Sequence, residues 1–94
     1  MVFDLRGALL KKAEIESARL DDFEFRLRAR TMRLLAPELG LEPEALVGRI
    51  AVEPDDAIVA SLGPDAAPRY EACRAEARRQ LIVEIGDPTP YRLA

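Results

Sequence analysis

Residues 8–36 contain neither glycine nor proline, carry charges throughout and repeat their apolar positions at helical spacing. At 1.5 Å per residue such a run makes a helix of about 43 Å. A compact domain of this size has a radius of gyration of only about 13 Å. The rest of a 94-residue chain cannot wrap so long a rod on every side. The helix must therefore break, or extend and find a second chain.

Ninety-four residues give one domain spanning 1–94 and no room for a second core. Hydrophobic residues make up 49%, enough for a packed interior, but aromatics are only 5% and tryptophan is absent. The interior is then built of Leu, Ile, Val and Ala, which suits helices packed on helices. The net charge of −3 gives nothing to the counterion release that drives nucleic-acid binding. Lysine occurs only at Lys11 and Lys12 against many arginines, a codon bias expected of a GC-rich bacterial genome. Cys73 is the single cysteine, so no intrachain disulfide can form. The longest apolar run near the start, Ala8-Leu9-Leu10, is too short for a signal core or a membrane span. A cytoplasmic chain without membrane attachment is expected.

Proline and glycine divide the remainder into blocks. Ala36-Pro37 ends or kinks the first helix, and Gly40 suits the residue after a helix that runs on to Leu39. Residues 42–51 open with Glu42-Pro43-Glu44 and residues 54–62 with Pro54-Asp55-Asp56, each a proline and two acids fitting a helix start. Both blocks read as helices of two to three turns. Residues 65–85 carry a stripe of Ala66, Tyr70, Cys73, Ala77, Leu81 and Ile85, and Gly86 ends it. Within it, residues 81–85 are rich in β-branched side chains and could be read as a strand, but no strand partner stands elsewhere. Residues 87–94 form an extended tail, whose Tyr91 and Leu93 are expected to dock. The fold class is all-α: a long first helix, two short helices and a last helix returning antiparallel.

The chain offers little to catalysis. It has no histidine, and Cys73 lies on an apolar stripe with no base to activate it. The pairs Asp21-Asp22 and Asp55-Asp56 are sequence neighbours, which do not converge on one helix face, and read as solvated acids. No glycine-rich phosphate loop occurs. No enzyme activity, metal or cofactor is expected. Arg26, Arg30 and Arg33 share one helical face and could meet an anion or an acidic partner. Pairing of Asp22 with Arg26 and Glu24 with Arg28 at i,i+4 would instead neutralise much of that field.

Residues 35–41 followed by Leu46, Val47 and Ile50 resemble a helix-turn-helix, with Ala36 as the small residue and Gly40 in the turn. That resemblance implies a DNA-binding regulator, the alternative function. The would-be recognition helix, however, opens with Glu42 and Glu44 and carries only Arg49 toward phosphates, so nucleic acid is a disfavoured partner.

Leu9, Ala13, Glu16, Leu20, Phe23, Leu27, Arg30 and Leu34 alternate spacings of four and three, the seam of a coiled coil, interrupted at Glu16 and Arg30. A second stripe of Ile15, Ala18, Phe25, Ala29 and Met32 runs beside it. The width suits a helix covered both by its own chain and by a partner, with Leu20, Phe23, Phe25, Leu27 and Leu34 as the self-association residues. Glu16 and Arg30 would meet across an antiparallel pair with its axis near Phe23. The expected function is a non-catalytic adaptor, a homodimer with a further protein partner that the sequence does not name.

Overall fold

The computed structural model describes the backbone of residues 5–88 and the side chains of residues 18–88. Four helices follow in order: α1 Leu5–Glu38, α2 Pro43–Val47, α3 Asp55–Ser61 and α4 Ala66–Ile85. The fold is all-α, with the two long helices packed side by side as an antiparallel hairpin and α2 and α3 folded over its closed end. The radius of gyration of 17.0 Å and the extents of 62 × 27 × 21 Å are those of a rod, well above the roughly 13 Å of a sphere-like domain.

The end of α1 resolves what the proline left open. The helix runs through Pro37 and stops at Glu38, because a proline in the final turn forfeits only one backbone bond. Gly40 then takes φ 71°, its N–H reaching the Pro37 carbonyl at 3.1 Å while the Leu41 N–H reaches that of Ala36 at 2.8 Å. These paired bonds are a Schellman closure, and they occupy carbonyls the helix end would otherwise leave bare.

α2 is shorter than the sequence suggests. Pro43 takes its first position as expected, but the regular helix stops at Val47, before Gly48. Beyond it the Arg49, Ile50 and Val52 amides bond to Leu46, Val47 and Arg49, three residues back, so the chain tightens into turns. Glycine is a poor helix former, which accounts for the change at that point. Residues 81–85 are helical, not a strand, because Leu81 is buried against α1 in register with Ala77. Gly86 ends α4 with φ 90°. Of the tail, residues 89–94, including Tyr91 and Leu93, lie outside the described residues.

The core falls into two clusters. At the closed end Met32, Leu35, Ala36, Leu46, Ile50, Ile58 and Cys73 gather side chains from every helix. Along the hairpin, Phe23 and Leu27 of α1 meet Ala77 and Leu81 of α4. Burying Phe23 and Leu27 contributes about 1.5–3 kcal/mol each before entropy is counted. Thr31 sits fully buried between these groups, its hydroxyl donating to the Leu27 carbonyl at 2.6 Å.

Candidate functional site

The residues the sequence marks for self-association do not stay together. Phe23 and Leu27, expected to face a second chain, are covered by α4. A periodic stripe tells which face of a helix is apolar, not which chain covers it. Leu34 is partly buried against both core clusters, and Leu20 is half-buried. Phe25, on the opposite side, keeps 53% of its surface exposed.

The arginine face is likewise dispersed. Arg26 gives its Nε to Asp22 at 2.9 Å, the expected i,i+4 pair. Arg30 reaches across to α4, where it bonds Gln80 and both oxygens of Glu84. The hydrogen bond from Arg30 holds the Glu84 carboxyl below its usual range, and Glu84 raises the guanidinium in turn. Arg33 alone of the three is exposed without an ion pair among the described residues. Since Arg30 is taken by its own chain, it is not there for Glu16 of another copy.

Arg28 does not pair with Glu24 as local spacing suggested. Its Nε meets Asp55 Oδ1 at 2.7 Å and its Nη2 the Glu53 carbonyl at 2.6 Å, while Glu24 lies 3.4 Å from Arg74 of α4. Asp55, read from sequence as a solvated acid, has a side chain only 13% exposed. Its second oxygen accepts the Tyr70 hydroxyl at 2.5 Å. Burial first, then the Asp55 carboxylate, pushes the Tyr70 phenol up to about 12. One carboxylate thus ties α1, α3 and α4 together. Nothing in local spacing marks it, because its partners stand 27 and 15 residues away in the chain.

Cys73 is buried at the closed end and donates its thiol to Glu38, which also lies 3.5 Å from Arg69. Burial and the adjoining carboxylate push the thiol up to about 12, so it stays protonated and poorly nucleophilic. No cluster of three or more metal-ligating side chains occurs among the described residues.

At the helix-turn-helix-like corner, Leu46 and Ile50 point into the core while Glu42 and Glu44 face outward. Arg49 donates from Nε and Nη2 to the two carboxylate oxygens of Glu53, at 2.6 and 2.9 Å, and that contact lowers the Glu53 carboxyl. The corner presents acids where a groove-reading helix presents donors.

The open end of the hairpin is different in kind. There a cleft of about 640 Å³ is lined by Ala18, Arg19 and Asp22 of α1 and by Ile85, Gly86 and Pro88 where α4 stops. Ile85 closes the α4 stripe yet keeps 51% of its surface bare. Residues 5–17 of α1 continue past this level, about 20 Å of helix with no other described element alongside. No described helix is long and apolar enough to cross a membrane. Compared with known proteins, the chain matches no family model, no curated protein and no solved structure.

Proposed function

We propose that this chain is a small non-catalytic interaction protein, a homodimeric adaptor of the bacterial cytoplasm, that associates through the projecting arm of α1. The observation that carries the reading is the mismatch in length between the hairpin helices. α1 has 34 residues and α4 has 20, and the heptad seam that α4 covers at Phe23 and Leu27 continues by sequence through Leu20, Glu16, Ala13 and Leu9 beyond the place where α4 stops. The projecting part, residues 5–17, is short enough that helix without tertiary packing is marginal there in water. A two-fold dimer is the commonest closed arrangement that supplies such packing.

Sedimentation equilibrium tests this directly, since it reports mass independently of the rod shape. The wild type should weigh as a dimer at micromolar concentration. Leu9→Asp with Ala13→Asp should weigh as a monomer with an unchanged melting temperature for the hairpin core. A wild type that remains monomeric at every concentration would overturn the proposal.

A further inference from the structure

The charge order of the arm adds a geometry to the association, an inference that rests on the reading above. Arg6, Lys11 and Lys12 fall within the first eight residues of α1, and its first turn holds no acid. Cations at a helix start oppose the macrodipole and gain from an acid supplied by a second chain. The acids Glu14 and Glu16 follow immediately, with Asp21 and Asp22 beyond them. A helix so polarised along its length repels a parallel copy and attracts an antiparallel one.

The heptad positions make the register definite. Leu9, Ala13 and Glu16 occupy the seam, and Arg6, three residues before Leu9, occupies its next position toward the N-terminus. The arm free of α4 is residues 5–17, and laying two such arms antiparallel over their full length sets residue 5 opposite residue 17. That one register sets Arg6 opposite Glu16 and Leu9 opposite Ala13, each twice by symmetry. Leu10 meets its own copy on one flank near the axis. Lys12 does so on the other, a repulsion that solvent screens. The partner's helix start arrives at the cleft beside the bare Ile85.

We infer that two copies pair antiparallel through residues 5–17, with Arg6 of each opposite Glu16 of the other and the two-fold axis near Lys11. Charged residues at seam positions weaken a coiled coil but select its register, and here Arg6 and Glu16 answer one another. A parallel dimer would set Arg6 on Arg6 and Glu16 on Glu16.

Charge reversal separates these cases. Dimer dissociation constants are measured by sedimentation for the full-length wild type, Arg6→Glu, Glu16→Arg and the double variant, with circular dichroism confirming equal helix content. Each single reversal should weaken the dimer by about tenfold, and the double should return to within about threefold of the wild type. Four equal constants, or a double variant weaker than either single, would overturn the register while leaving association through the arm intact. A monomeric wild type, whether its arm is covered by its own residues 89–94 or by another protein, would overturn both.

Discussion

Tyr70 donates its hydroxyl to the Asp55 carboxylate at 2.5 Å while Arg28 holds the other oxygen of the same group at 2.7 Å. Because Asp55 and Arg28 are both largely shielded, removing the carboxylate strands a cation and a phenol together. Asp55→Ala should cost about 2–4 kcal/mol in urea unfolding, and Tyr70→Phe about 1 kcal/mol. The two losses should fall short of adding in the double variant, since they share one partner.

Leu27 and Phe25 lie two residues apart on α1 and face opposite environments, one fully buried and one half exposed. Leu27→Ala should destabilise the hairpin by about 2–5 kcal/mol, whereas Phe25→Ala should change it by no more than about 0.5 kcal/mol. Equal effects in thermal denaturation would contradict the assignment of the α4-facing seam.

The buried thiol gives the alkaline limb of stability. Its ordinary value of 9.0 is raised to about 12 in the folded chain, so its contribution is fully present below pH 9 and is lost as pH climbs from 9 toward 12. Tyr70, raised from 10.0 to about 12, acts in the same direction over a narrower window. Cys73→Ala should flatten the fall in melting temperature above pH 9. The wild-type thiol should react with a maleimide only as fast as the closed end opens.

Gly40 holds φ 71° in the closure of α1, and a Cβ built there meets nothing within 4 Å. The cost of Gly40→Ala is therefore backbone strain alone, about 1 kcal/mol by chemical denaturation. Gly40→Asn should cost less, because asparagine tolerates that region.

Much of this fold is legible in its punctuation. Pro43 and Pro54 stand at helix starts, Gly40 and Gly86 at helix ends, and the stripe from Ala66 to Leu81 is the face that α4 buries. Those signals are local, and each is fixed by what one residue's backbone can do. The tertiary polar contacts are not local. Arg28 has an acid four residues earlier in Glu24, yet it turns to Asp55, where the carboxylate is less hydrated and a carbonyl lies within reach of the same guanidinium. Arg30 has no acid within four residues on either side, and its partner Glu84 stands 54 residues away in the chain. Of the proposed association residues, periodicity identified the apolar seam, while α4 covers its Phe23 and Leu27, which spacing alone does not assign to either chain.

Leu34 packs against both the closed-end cluster and the hairpin cluster. That shared side chain makes the two regions a single cooperative unit, because neither can loosen without withdrawing a contact from the other. Heat should melt them in one calorimetric transition, with van't Hoff and calorimetric enthalpies in agreement. Trimming the joint with Leu34→Ala should split or broaden that transition before it abolishes the helices. The chain would then behave as a corner and a hairpin that happen to share a helix.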